Sequence, residues 1–396
     1  MRRPATEERK HTERRLKVAI VAALFAGLAL SPKLWLSERV YPATPVSPLL
    51  GLIPAPLDHI LYAALLAISV AIAVLARPAK LIGLFVLLAI SIALFDQSRW
   101  QPWFYQYLVM LAAVGLDGRG RGDYALNACR LVVVCTYFWS GLQKANAAFM
   151  MHVFPFMMQP VTRLLPSSME AAMNSLGIVA PFIEVAIGIG LLTRRFRTFA
   201  IYLAFGMHAF ILLAIGPLGQ NSNNVVWPWN IAMCCFLMIL FWQWPELSAR
   251  EIIWSQGGHY QIVVLLLFGI APILSFFNLW DGYLSSALYS GLRNTAHIYV
   301  TDALKDRLPK EILPHIYSSN KPGTSILILQ EWSMGELNVP IYPEPRIYKN
   351  LARYICTYVH DPSEMKLWIK QTNVLISADK QVSYDCPVLL SGSAKR

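Results

Sequence analysis

The sequence predicts an all-α polytopic membrane bundle of about nine transmembrane helices, followed by a small α+β extramembrane domain. Three observations predict it. Only 14% of the 396 residues are charged while 56% are hydrophobic, against roughly a quarter charged in soluble domains. The charges are segregated: residues 1–17 hold seven Lys/Arg and three Asp/Glu, residues 18–280 hold 14 and nine, and residues 281–396 hold 13 and 11. The sparse middle breaks into apolar runs near the length of about 17 to 25 residues that a crossing helix needs. Such a composition excludes a cytosolic enzyme, a disordered chain or a fibrous protein. The net charge of +11 sits in short segments between apolar runs, so no nucleic-acid partner is implied.

The nine runs centre near residues 18–36, 60–76, 80–95, 102–116, 130–149, 176–193, 198–216, 225–243 and 261–280. The third and fourth are short, with Asp96, Gln97, Ser98 and Arg99 between them. They read as two spans or one broken hairpin; two spans give each end a water-facing cap. With the basic head in the cytoplasm, nine spans place 16 Lys/Arg inside, among them Arg77, Lys80, Arg119, Arg121, Arg130 and Arg250. Four fall outside: Lys33, Arg39, Arg99 and Arg163. The excess of inside positive charge orients the chain and puts the C-terminus in a periplasm or lumen. The first run has no small-residue cleavage site, so it reads as an anchor.

Three domains follow: a basic cytoplasmic head (1–17), a transmembrane domain (18–280) and the external tail (281–396). Within the tail, Ser325–Leu329 and Lys366–Lys370 read as strands. Gln330, Glu331 and Trp332 precede a turn at Gly335, and Pro345 opens a helix whose Ile347, Leu351, Tyr354, Ile355 and Tyr358 share a face. Cys356 and Cys386 lie together in the tail. An oxidising compartment permits a disulfide there, while two free thiols remain the alternative.

Ionisable residues inside spans cost about 2.5 to 3.5 kcal/mol at a helix centre, so three positions stand out. Lys144 closes Tyr137-Phe138-Trp139-Ser140-Gly141-Leu142-Gln143-Lys144, Glu184 follows Pro181-Phe182-Ile183, and His208 sits in Gly206-Met207-His208-Ala209-Phe210. One reading is structural: Lys144 snorkels or pairs with Glu184, and His208 bridges helices. Another is an intramembrane pocket in which Lys144 acts as base or electrophile, Glu184 as its partner and His208 as proton relay. A third is a proton path, which the lack of an inverted repeat disfavours. Asp96, Arg99 and Asn230 are candidates for binding a ligand. Asp96 and Arg99 also read as a simple rim ion pair, and the tryptophans as interface belt residues. The Met- and aromatic-rich stretch Phe149–Met158 suits interfacial packing or the docking of an isoprenoid or lipid tail. No P-loop, G-x-S-x-G or H-E-x-x-H motif occurs, and the eight histidines are scattered, so no metal site is expected.

The run Asp96–Tyr107, the Tyr137–Lys144 motif, Glu184 ahead of Gly188 and Gly190, His208, and Trp227-Pro228-Trp229-Asn230 together resemble the HTTM group. These membrane proteins are related to the vitamin K-dependent gamma-carboxylase and, more distantly, to DoxX-type proteins. The resemblance spans roughly residues 15–280. It implies that Lys144 is a reactive amine, that Trp103 matches a functional segment by spacing, and that the pocket takes a quinone-like ligand. Where the carboxylase has a functional histidine in that segment, the nearest match by spacing is Trp103, which thereby joins the ligand-binding candidates; the tail is far smaller than the carboxylase's lumenal part. Two functions therefore stand side by side: a membrane protein handling a quinone or other membrane lipid, and a non-catalytic scaffold or maturation factor whose tail binds a protein partner.

Overall fold

The computed structural model describes residues 6–117, 123–244, 246–254, 259–291, 294–371 and 380–391. Arg2, Arg3, Arg119 and Arg121, which count toward the cytoplasmic charge, lie outside the described residues. Helices α1 (Thr6–Leu30), α2 (Leu57–Val74), α3 (Ala79–Leu94), α4 (Pro102–Leu116) and α5 (Tyr124–Lys144) follow one another, and then comes the short α6 (Phe154–Thr162). After it come α7 (Ser167–Leu192), α8 (Arg197–Ile215), α9 (Val226–Trp242) and α10 (His259–Phe277).

Five of these, α2, α5, α7, α8 and α10, are long and apolar enough to cross a membrane. The expectation of nine spans is not met by length. Helices α3 and α4 have 16 and 15 residues. At a rise of about 1.5 Å per residue they fall short of a hydrocarbon core about 30 Å thick. Helix α9 is likewise short, and α1 carries Glu7, Glu8, Arg9 and Lys10 in its opening turns. The long helices are not equivalent. Of the apolar window of α5, 78% is buried inside the protein, against 22% for α2 and 33% for α8. So α5 is the internal helix, whereas α2 and α8 leave most of their apolar side chains, such as Phe199 and Leu213, facing outward. An outward apolar face is what lipid requires and water penalises.

The chain forms two compact units. The first comprises Met1–Leu30, Ala63–Ile90 and Gln101–Leu292; the second comprises Ser31–Tyr62, Ser91–Trp100 and Arg293–Arg396. In the first unit α5 lies directly against α7. Glycines allow this. A Cβ on Gly141 would stand 2.6 Å from Pro181 O and 2.7 Å from Val185 N, and one on Gly188 would stand 2.9 Å from Phe138 N. Each helix thus presents a bare backbone patch to the other, the device by which apolar helices gain contact without a hydrophobic driving force.

The second unit is built on an antiparallel sheet. Strands β1 (Thr295–Thr301), β2 (Ile316–Ser318), β3 (Thr324–Ile328), β4 (Met365–Gln371) and β5 (Lys380–Tyr384) take the order β2-β3-β1-β4-β5. Ile298, Val300, Leu327, Leu367 and Ile369 are fully buried on one face. Helices α11 (Leu329–Leu337), α12 (Pro345–Cys356) and α13 (Cys386–Ser391) belong to the same unit. Ile347, Leu351 and Ile355 of α12 are buried, and α12 packs on β4. A disulfide joins Cys356 at the end of α12 to Cys386 at the start of α13. Earlier segments belong here too. Glu336 of α11 accepts hydrogen bonds from Val40 N at 2.5 Å and Tyr41 N at 3.0 Å. Arg346 Nε donates to Gln97 Oε1 at 2.6 Å.

Two expectations for this region are corrected. Gly335 marks no turn: α11 runs through it, and a Cβ there would stand 2.5 Å from the His315 ring, so the glycine makes room for a ring. The central strand β1, with its alternating burial, was not among the expected strands, although Ala296, Ile298 and Val300 carry its period of two.

Gly141→Ala is expected to lower the melting temperature of the detergent-purified protein by the equivalent of about 1 to 3 kcal/mol, the usual cost of overpacking. Gly206→Ala, where a Cβ meets nothing within 4 Å, is expected to leave it unchanged or raise it, since alanine favours a helix. Equal melting for both variants would remove the close approach as a structural requirement.

Candidate functional site

Helix periodicity places Tyr137, Ser140 and Lys144 on one face of α5. The Gly141 contact brings that face against α7 at Glu184. Lys144 Nζ donates to Glu184 Oε2 at 2.8 Å, to Ser140 Oγ at 2.5 Å and, at 3.4 Å, to Ser140 O. The ammonium therefore turns inward to a carboxylate rather than snorkelling away. Both side chains are largely buried, at 11% and 10% exposure.

About two turns back from Lys144 on α5, Tyr137 OH lies 2.6 Å from His208 Nε2 of α8. His208 Nδ1 lies 2.7 Å from Asn230 Oδ1 of α9. The Asn230 amide is oriented by its Nδ2 donating to Val226 O at 2.9 Å, which leaves Oδ1 as acceptor toward the ring. Nδ1 then carries the proton, and Nε2 accepts from the Tyr137 hydroxyl. A neutral imidazole satisfies every partner in this chain.

These groups form one wall of a cavity of about 690 Å³ in the first unit, within the range of small-molecule sites. Lys144, Glu184, Ser140, Tyr137, His208 and Asn230 line it. The remaining walls are mostly apolar and include Phe149, Phe154, Met157, Met158, Ile183 and Phe210. The Met-rich stretch is helical, with a π-turn at Phe149–Val153 leading into α6. It turns Phe149, Phe154 and Met158 into a buried cluster beside the cavity. Trp229 lines the cavity as well, and its Nε1 donates to Gln106 Oε1 at 2.8 Å.

The other three candidates do not line it. Asp96, in the second unit, is bound to Arg39 by an ion pair and accepts from Thr44 Oγ1 at 3.0 Å and Ser98 N at 3.0 Å. Burial pushes its carboxyl up, but the charges of Arg39 and Arg99 outweigh that and hold it below the usual aspartate range. Arg99 is not its direct ion-pair partner. That side chain donates to the carbonyls of Leu34 at 3.0 Å, Ile92 at 2.7 Å and Trp35 at 3.1 Å, and lies over the Trp35 ring. The expected Asp96–Arg99 rim pair is thus replaced by Arg39–Asp96, because Arg99 is taken up by carbonyls. Trp103, in the first unit, packs so close to Gly27 that a Cβ there would stand 2.5 Å from its ring. It is a helix-packing residue between α1 and α4.

Tyr137 and Ser140 were quoted in the sequence motif but given no role. Their spacing of three and four residues along the approach to Lys144 was the signal that could have assigned them.

The helical build and apolar spans define a multi-pass membrane protein. Residues 122–225, less than half of the chain, match the family model of the methylamine utilisation protein MauE. The matched segment covers α5 through α8 and holds Tyr137, Lys144, Glu184 and His208; Asn230 lies just beyond it. No HTTM or DoxX family model matches, so the resemblance to the carboxylase-related group is overturned. No curated protein and no solved structure gives a significant match.

Removing one partner of a buried ion pair leaves an uncompensated charge and costs about 3 to 5 kcal/mol, whereas replacing both by apolar groups is near neutral. Lys144→Met and Glu184→Leu are each expected to destabilise the detergent-purified protein strongly, and the double variant to recover most of the loss. Additive losses in the double-mutant cycle would show that the two side chains do not pair.

Asp96 titrates below its unfolded range. Its contribution is present above about pH 4, the ordinary aspartate value, and is lost as pH falls through the depressed folded value. Asp96→Asn is expected to flatten the acid limb of the stability–pH profile of the second unit, read by limited proteolysis. An unaltered acid limb would assign that limb to other carboxylates.

Proposed function

We propose that this protein is a membrane-embedded accessory factor that supports maturation of a partner protein on the non-cytoplasmic side. The observation that carries this reading is the match of residues 122–225 to MauE, because the matched segment supplies three of the four helices that form the polar wall. Two features agree with it. The second unit holds a disulfide between Cys356 and Cys386, chemistry that persists in an oxidising compartment. The same unit is built on a five-stranded antiparallel sheet, the kind of element on which an extended segment of a protein partner docks. On this reading the N-terminus faces the cytoplasm and the C-terminus the periplasm or lumen. Lys144, Glu184 and His208 then organise an apolar binding chamber between helices, and the chamber accepts a membrane lipid.

The test is genetic and proteomic. A strain lacking the protein is expected to accumulate one or a few non-cytoplasmic proteins in immature form, with wild-type protein restoring them. A reporter fused after Arg396 is expected to read as non-cytoplasmic. A cytoplasmic reporter signal, or a null strain whose non-cytoplasmic proteins all mature normally, would overturn the proposal.

A further inference from the structure

The hydrogen-bond ledger of the polar wall says which ligand chemistry the cavity takes. Lys144 donates its hydrogens to Glu184 and Ser140, so it has none left for a ligand. Its charge is matched by the Glu184 carboxylate. The His208 ring is satisfied at both nitrogens, by Tyr137 and Asn230. What remains on this wall is specific. Glu184 Oε1 accepts no hydrogen bond among the described residues, since only Oε2 is engaged. Ser140 Oγ accepts from Lys144, which leaves its own O–H to donate. These free groups flank the same ammonium: one is an acceptor carrying negative charge, the other a neutral donor.

A head group that both donates to Glu184 Oε1 and accepts from Ser140 fits this pair; an alcohol does both. An anionic head does not fit. A carboxylate or phosphate would face the Glu184 carboxylate, with the lining residue Lys144 already paired to it, and like-charge contact in a mostly apolar site is costly. A head with only carbonyl acceptors would leave Glu184 Oε1 unsatisfied. The apolar walls of Phe154, Met157, Met158, Ile183 and Phe210 provide for a hydrocarbon body, and methionines adapt to its irregular shape.

We infer that the cavity is a binding site for a neutral, hydroxyl-headed lipid, with Glu184 and Ser140 reading the hydroxyl group and the α6–α8 side chains enclosing the chain. This assignment rests on the reading that the chamber accepts a membrane lipid and names the head group it takes; it is independent of whether the protein serves maturation of a partner.

The test uses the full chain in phosphatidylcholine nanodiscs at pH 8, with two photoreactive diazirine probes of equal length: hexadecan-1-ol and hexadecanoate. In wild-type protein the alcohol is expected to label cavity peptides at least about tenfold more strongly than the acid, the scale of one unfavourable charge contact. Excess unlabelled hexadecan-1-ol should abolish the signal. Glu184→Gln leaves Lys144 uncompensated, so the preference is expected to shrink or reverse toward hexadecanoate. Gly206→Leu projects into open space from a cavity-lining position and is expected to block both probes while the protein stays folded. Gly206→Leu and the wild-type comparison decide the matter even if Glu184→Gln fails to fold. Equal labelling by acid and alcohol in the wild type would overturn the inference. So would an unchanged preference in folded Glu184→Gln, or labelling that Gly206→Leu does not reduce.

Discussion

The close approach of α5 and α7 is the constraint on which the first unit depends. At Gly141 and Gly188 each backbone meets the other with no side chain between them. In a lipid-facing bundle there is little hydrophobic gain from bringing helices together, so contact area and polar bonds must supply the attraction. The glycines provide the contact, and the contact brings Glu184 within 2.8 Å of the Lys144 ammonium. Remove the approach and the two charges would each face an apolar medium alone, at a cost neither helix could sustain. Backbone contact and ion pair are therefore one arrangement, each holding the other in place.

From that pair the polar wall extends about two turns back along α5. Tyr137 reaches His208, and His208 reaches Asn230, so α5, α8 and α9 are linked through neutral hydrogen bonds. The wall leaves its ionic and imidazole groups mutually satisfied. Among the described residues, Glu184 Oε1 and the Ser140 hydroxyl hydrogen are the positions of this wall beside the Lys144 ammonium that remain unengaged. The disulfide-bearing unit works by a different principle. Its core is an antiparallel sheet covered by α12, and its charges, such as Arg39 with Asp96, pair across segments far apart in sequence.

The sequence motif that carried the resemblance to the carboxylase-related group did not carry kinship with it. Aromatic residues, a serine, a glycine and a lysine spaced along a helix are what any internal membrane helix needs to pack closely, hold an ammonium and pair it. Packing physics can produce that pattern in unrelated chains, and the matching family is MauE over residues 122–225. The same reasoning explains Asp96, Arg99 and Trp103. Asp96 and Arg99 stood out as charges between apolar runs and Trp103 through the resemblance alone, yet Asp96 is satisfied by Arg39 and Thr44, Arg99 by carbonyls, and Trp103 packs over Gly27.

By itself the sequence determined the helical membrane build, the placement of the apolar helices and strands at 325–329 and 366–370, which the structure sets at Thr324–Ile328 and Met365–Gln371. It also singled out Lys144, Glu184 and His208, because a titratable group in an apolar run is visible without coordinates. It could not set the number of helices long enough to cross, since α3, α4 and α9 carry the composition of spans without the length. Nor could it separate the candidates that share a cavity from those that do not. Lys144 and Glu184 are 40 positions apart, and His208 and Asn230 are 22 apart; whether such pairs meet depends on which helix faces turn toward one another. That is decided by tertiary packing at a few glycines, where the absence of a side chain matters more than the presence of any other.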